Sequence, residues 1–180
     1  VLAAGAGRRF GKGVPKLLAP VGGEPLVLRA LAPALDAGLD EVVVVTGAYE
    51  LADVLPSSVT VLRNEDWEAG QATSLQVALD WCGREGHSSV VVGLGDLLGV
   101  PAAAWRDVAT APGGPVVVAT YRGRRGHPVR LDAEVWPLLP VEGEEGARAL
   151  FLRRPELVTE LACEGDPHDV DTREDLRRWS

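Results

Sequence analysis

The sequence predicts an α/β fold: one domain over residues 1–180, built on a doubly wound, mostly parallel sheet with a small antiparallel excursion. Three observations carry that expectation. Short runs of β-branched apolar residues recur along the chain, stretches with leucine and alanine at helical intervals separate them, and glycines and polar residues gather just after the runs. Strands that alternate with helices imply right-handed crossovers, and therefore parallel neighbours covered on both faces.

The first strand is expected at Val1-Leu2-Ala3, with a few further residues expected to precede it. Pro25 suits the first turn of a helix whose leucines at 26, 28, 31 and 35 lead to a stop near Gly38. Buried strands follow at Val42–Val45, Val59–Leu62 and Val90–Val92, with a helix after Ser74 between the last two, carrying Leu75, Val77, Ala78, Leu79 and Trp81. A third helix is expected at Ala102–Ala109 after Pro101, then a loop over Ala109–Pro115 and a strand at Val116–Ala119. The texture then changes. Gly123–Gly126 reads as a turn into a second strand ending at Val129-Arg130-Leu131, which is the antiparallel excursion. Helical segments at Ala133–Leu139 and Ala147–Arg154, a strand at Leu157–Ala162, and a terminal helix capped by Asp171-Thr172 complete the chain.

Composition excludes several classes of function. With 180 residues and 46% hydrophobic content the chain can bury a substantial core. No run approaches the length of a membrane span, and nothing resembles a signal peptide, so a cytoplasmic protein with no membrane partner is expected. Cys82 and Cys163 have neither the number nor the spacing of a disulfide framework or zinc site and are expected to be buried. A net charge of −8 argues against a nucleic-acid partner. Yet Arg8, Arg9, Lys12 and Lys16 precede the first acidic residue, Glu24, so an acidic protein opens with a basic patch suited to a small anion.

Ligands of open α/β sheets sit beyond the carboxyl ends of the strands. That rule selects Ala4–Lys16, Thr46-Gly47, Asn64–Ser74, Gly95-Asp96 and Asp169–Thr172. In the first of these, glycines let backbone N–H groups close on an anion. A dinucleotide fingerprint from Gly5 fails, because Phe10 stands where glycine is required and the second strand ends at Thr46 rather than at an acid. A Walker A loop ending at Gly11-Lys12 fails at Ala6 and Gly13.

What remains is L-A-A-G-x-G-x-R-x-G followed by Pro15-Lys16-Leu17, and it resembles the MobA-like NTP transferases, nucleotidyltransferases that activate molybdopterin and sugar phosphates. The resemblance continues through Gly23-Glu24-Pro25-Leu26, Asn64–Gly70 with Ser74-Leu75, Gly95-Asp96, Gly126-His127-Pro128, Gly143–Arg148 and Asp169–Thr172. It is strongest to the molybdenum-cofactor cytidylyltransferase branch. It implies a Rossmann-like nucleotidyltransferase fold, a nucleotide held along Leu2, Ala3, Ala4, Gly5, Ala6 and Gly7, and phosphates engaged by Arg9 and Lys16. Fixed positive charge suits attack on a phosphoryl centre shielded by its own oxygens, whereas Arg8 and Lys12 read as solvated neighbours.

Asp96 and Asp171, each a turn or cap residue when read alone, together suit Mg²⁺, a hard cation held by one or two carboxylates plus phosphate and water. The resemblance implies this pair as metal ligands, with Asp169 the second choice or a support. Leu97-Leu98 departs from the family, whose members often carry a polar residue and a proline there. Asn64, Gly70 and Ser74 are implied to border base and sugar, Ser74 serving equally well as a helix cap, and His127 to touch the acceptor; His87 and His168 have no constellation around them. No general base is required, because a phosphate monoester is largely ionised at neutral pH. The Ala3-Ala4-Gly5 run resembles cytidylyltransferases, since guanylyltransferases tend to carry glycine at the position of Ala4. CTP with molybdopterin is thus the expected donor and acceptor, with GTP, or a sugar or alditol phosphate, as the alternative. A carrier or chaperone that hands finished cofactor to a molybdoenzyme is the non-enzymatic alternative.

Overall fold

The structure, a computed structural model, describes residues 1–11 and 13–179. The basic patch is therefore described without Lys12. Among the described residues eleven strands and five α-helices form in the order β1 (Leu2–Ala3), β2 (Pro20–Val21), β3 (Glu24–Pro25), α1 (Leu26–Leu35), β4 (Val43–Thr46), β5 (Thr60–Arg63), α2 (Gln71–Arg84), β6 (Ser89–Val92), β7 (Leu97–Leu98), α3 (Ala102–Thr110), β8 (Val116–Tyr121), β9 (Arg124–Asp132), α4 (Arg148–Arg153), β10 (Val158–Ala162), β11 (His168–Asp169) and α5 (Arg173–Arg177). Segment 133–138 winds as a 3₁₀ helix rather than an α-helix, and Pro137 lies inside it.

β1, β4 and β5 pair in parallel, and β10, β8, β9 and β6 form a second ladder. A parallel bridge between Leu2 and Leu94, flanked by Leu2 N–H to Gly93 O at 2.8 Å and Gly95 N–H to Leu2 O at 2.9 Å, joins the two ladders just past β6. The combined order is β5-β4-β1-β6-β9-β8-β10. β9 alone runs against the rest. The expected antiparallel excursion is thus a strand in the middle of the sheet. Its hairpin turns at Arg122-Gly123, so Gly126 falls inside β9 rather than in the turn.

Side chains alternate across the sheet as the pleat requires. Val44, Val117 and Ala119 face α1 and α3, while Val45, Val116 and Val118 face α2 and α4, and all are essentially inaccessible. Burying each of the valines contributes roughly 1.5–3 kcal/mol. Helices on both faces make the sheet doubly wound. Among the described residues no helix is long and apolar enough to cross a membrane.

Two boundaries differ from expectation with consequences for the site. α2 begins at Gln71 behind Gly70, so Ser74 lies within the helix and does not cap it. At the other end Thr172, not Asp171, caps α5: its hydroxyl accepts from Asp175 N–H, and the Asp175 carboxylate accepts from Thr172 N–H, a reciprocal box in which the Asp171 side chain takes no part. Leu97 and Leu98 form β7 and pair with β11, which draws the C-terminal segment against the end of β6.

Candidate active site

Three short stretches converge because the sheet brings their strands together. The tail of β6 lies beside β1, so Asp96 emerges next to Ala4 at the carboxyl edge. β11 pairs with β7, and Val170 N–H donates to Asp96 O at 3.0 Å, which sets Asp169 and Asp171 against the same edge. The loop after β1 curls through Gly7 at φ 60°, and a Cβ there would stand 2.7 Å from Lys16 Cβ. Only glycine lets the loop and Lys16 approach this closely.

Lys16 is the centre of the cluster. Although a lysine, it is only 7% exposed. Its Nζ donates to Asp96 Oδ2 at 2.5 Å and to Asp171 Oδ1 at 3.1 Å. Arg9 NH1 holds the other oxygen of Asp171 at 2.9 Å. A buried ammonium needs such partners, since desolvation of an unpaired charge costs several kcal/mol. Asp169 stands nearby with its carboxyl pushed above the usual range, first by desolvation and then by the charges of Asp96 and Asp171.

A hollow of about 440 Å³ opens over this cluster, lined by Leu2 and Ala3–Arg9, by Lys16, Asp96 and Asp171, and by Gly70, Gln71 and Ser74. One face is backbone and cation; the other is the start of α2. Arg8 lies at the rim, largely exposed, 3.6 Å from Glu68. A second, larger hollow of about 1400 Å³ adjoins it and shares Leu2, Gln71, Leu94 and Glu144. Its walls bring together Arg122, Arg124, Arg125 and Arg148, with His127 and Asp169. The His127 ring hydrogen-bonds Val92 O through Nδ1 at 3.2 Å, and burial lowers its pKa, so the ring is neutral at neutral pH with Nε2 left as an acceptor.

Of the residues singled out from the sequence, Leu2 to Gly7, Arg9, Lys16, Gly70, Ser74, Asp96 and Asp171 share the first hollow, and His127 and Asp169 line the second. Asn64 lines neither. It is 3% exposed, its amide donates to Thr73 Oγ1 at 2.8 Å and Ser74 Oγ at 2.9 Å, and its carbonyl accepts from Asp66 N–H at 2.9 Å. Those bonds commit the side chain to fixing the loop before α2. His87, expected to stand alone, lies 3.2 Å from Glu41, remote in sequence from the cluster around Lys16. Cys163 is partly exposed rather than buried, and both cysteines are free.

Glu144 and Gln71 received no role from the sequence, although they lie within the stretches 143–148 and 64–74 that it singles out. Both face both hollows, because the loop 143–146 is pinned onto the start of α2 by Gly143 N–H to Ala69 O and Ala72 N–H to Gly143 O, each 2.9 Å. The Gly-Glu-Glu-Gly pattern was visible; its partner some seventy residues earlier, by order of magnitude, was not.

Oxygen donors dominate the cluster, which is the donor type a hard divalent cation prefers. Among the described residues no three His, Cys, Asp or Glu side chains are arranged to enclose a metal. Asp96 and Asp171 could supply two ligands, the rest coming from phosphate and water, which is how Mg²⁺ is usually held.

The chain is 34% identical over 193 residues to nicotine blue oxidoreductase of Paenarthrobacter nicotinovorans, covering 99% of this chain and 93% of that one. The structure of Rv0371c from Mycobacterium tuberculosis H37Rv superposes with a TM-score of 0.82 at 30% identity, covering 98% of this chain and 93% of the other. A manganese complex of the same mycobacterial protein superposes with a TM-score of 0.77 at 28% identity, covering 99% and 94%. The family model of the MobA-like NTP transferase domain matches residues 1–158, a span that takes in the glycine-rich loop, Lys16 and Asp96 and stops short of Asp169 and Asp171. With that match over most of its length, the chain belongs to the MobA-like NTP transferase domain family.

Proposed function

We propose that this protein is a Mg²⁺-dependent nucleotidyltransferase that transfers CMP from CTP to the phosphate of molybdopterin. An oxygen of the acceptor phosphate bonds to the α-phosphorus of CTP, the bond to the bridging oxygen breaks, and pyrophosphate leaves. The observation that carries the reading is the meeting of Lys16, Asp96 and Asp171 within 3.1 Å at the floor of a glycine-lined hollow. A dinucleotide cofactor has no such use for a buried lysine between two carboxylates.

The loop from Leu2 to Gly7 would seat the nucleotide, with backbone N–H groups and the absence of side chains at Gly5 and Gly7 allowing close approach. Arg9 and Lys16 would neutralise the phosphates and stabilise the departing pyrophosphate. Asp96 and Asp171 would hold Mg²⁺, which supplies charge neutralisation and fixes the orientation of the triphosphate. Asp169 would support that site. Gly70 and Ser74 would border the base and sugar, and Asn64 would act only by holding the loop before α2 in place. The acceptor would occupy the larger hollow, where four arginines suit an anion and His127 offers a neutral polar contact. No enzyme nucleophile takes part, since the phosphate is itself ionised and the task is positioning.

The test is pyrophosphate release on mixing the protein with Mg²⁺, each NTP in turn, and molybdopterin or a panel of sugar and alditol phosphates. Release with CTP and molybdopterin supports the reading. Release only with GTP, or only with a sugar or alditol phosphate, moves donor or acceptor within the same chemistry. Silence, with molybdenum cofactor retained on the protein and passed to an apo-molybdoenzyme, replaces it with a carrier. The relative named nicotine blue oxidoreductase supplies the remaining rival, read in the same samples as oxidation of NADH or NADPH. Phe10, buried where a dinucleotide loop needs glycine, weighs against it.

A further inference from the structure

Three of the four carboxylate oxygens of Asp96 and Asp171 are already held by the protein's own cations. Asp96 Oδ2 and Asp171 Oδ1 are bound by Lys16, and Asp171 Oδ2 by Arg9. These are the same two cations that a triphosphate would draw to itself. We propose that Lys16, seconded by Arg9, occupies the place of the metal in the ligand-free protein, so that the metal is admitted only by an exchange of partners. This rests on the assignment of Asp96 and Asp171 as metal ligands.

On these three oxygens a metal would compete with Lys16 and Arg9 for the same lone pairs. Mg²⁺ bound to a carboxylate oxygen sits at about 2.0–2.1 Å from it. An ammonium whose Nζ lies 2.5 Å and 3.1 Å from the same oxygens would be within a few ångströms of that ion. Two cations so close repel strongly, the more so because Lys16 is 7% exposed and little screened. Metal arriving alone must therefore displace an ammonium from the two carboxylates that hold it. Nucleotide arriving without metal would take Lys16 and Arg9 and leave two bare carboxylates facing a polyphosphate. When both arrive, each positive group keeps a negative partner: Lys16 and Arg9 move to the phosphates, and the metal takes Asp96 and Asp171. No charge is stranded. Thermodynamic linkage then requires that nucleotide and metal strengthen each other's binding by the same factor.

Because nucleotides chelate metals in solution, the decisive measurement uses metal alone. Mn²⁺ affinity is read from the electron paramagnetic resonance of free Mn²⁺, with no nucleotide, for the wild type and for Lys16→Gln, Arg9→Gln and Lys16→Gln/Asp96→Asn. Removing the lysine charge is expected to tighten Mn²⁺ binding at least about tenfold, and Arg9→Gln to tighten it by a smaller factor. The added Asp96→Asn change is expected to abolish the gain, which ties it to this site. Wild type binding Mn²⁺ as tightly as Lys16→Gln would overturn the exchange, as would a gain that survives Asp96→Asn. If Lys16→Gln does not fold, Arg9→Gln decides alone, since that side chain is largely exposed; equal affinity for it and the wild type then overturns the proposal. Pyrophosphate release by the wild type is measured in parallel. Release without the expected tightening would reject the exchange and leave the nucleotidyltransferase intact.

Discussion

The two halves of the sheet present different surfaces to the two hollows. Around β5, β4, β1 and β6 the strands are parallel, and their carboxyl ends present backbone, glycine and two clustered cations. Around β9, β8 and β10 an antiparallel strand turns the sheet, and the wall it builds is made of long side chains, four arginines among them. The first half offers groups suited to any triphosphate; the second offers a wall of charged side chains. On the proposed reading, the donor would meet main chain and the buried Lys16 together with more exposed carboxylates and Arg9, and the acceptor would meet exposed arginines. The seam between them is the contact of loop 143–146 with α2.

The largest expected effect lies in the first half. Asp96→Ala and Lys16→Ala should each reduce turnover at least about a hundredfold, because each removes charge stabilisation at the reacting phosphates. Thermal unfolding should show both variants folded. Near-normal turnover in either would dissolve the distinction between a chemical half and a selective half.

Next comes the seam. Gly70 has φ 110°, and a Cβ there would lie 2.4 Å from the carbonyl carbon of Gly143. Gly70→Ala must strain the backbone and push the loop away, at a cost of roughly 2–4 kcal/mol in chemical denaturation. Because Glu144 borders both hollows, KM should rise for donor and acceptor together. A rise for one alone would show that the halves are not joined there.

What could be read from the sequence follows the same division. Lys16, Asp96 and the glycine loop were legible because the strand-end rule needs only local pattern. Asp171 was legible as a candidate, but the capping role it was offered belongs to Thr172, and the Thr172–Asp175 spacing that shows this is itself visible in the sequence. Asn64 was misplaced because α2 starts at Gln71 rather than beyond Ser74, which turns an amide assigned to ligand into one consumed by the loop. Leu97-Leu98, a departure from family pattern, pairs with β11 across some seventy residues, roughly, and no local propensity reports such pairing. That Gln71 and Glu144 stand between the two hollows was hidden for the same reason, although the stretches that hold them were not.

A smaller effect belongs to the second half. Arg148 lines only the larger hollow. Arg148→Ala should raise the acceptor KM about tenfold, a loss near 1.4 kcal/mol, and leave the KM for NTP and the turnover number unchanged. Equal changes for both substrates would place this arginine in the chemistry rather than in selection.

The smallest effect lies at the amino ends of the parallel strands, away from either hollow, where Glu41 ties the framework together. Its carboxylate accepts from Thr60 Oγ1 at 2.7 Å and Trp81 Nε1 at 3.3 Å, with His87 Nε2 at 3.2 Å, linking β5 to the end of α2. The hydroxyl of Thr60 is the main cause that holds the Glu41 pKa below the ordinary glutamate value, and desolvation opposes it. A depressed carboxylate contributes stability that is complete above the ordinary value and disappears as pH falls through the lowered folded value. Glu41→Gln should therefore cost about 1 kcal/mol at neutral pH, and the gap in melting temperature between variant and wild type should close on acidification below that range. Nucleotide KM at neutral pH should not move. A gap that persists unchanged into strong acid would mean that Glu41 acts by packing alone, and a shifted nucleotide KM would mean that the framework and the phosphate-binding edge of this half are coupled through β4 and α2.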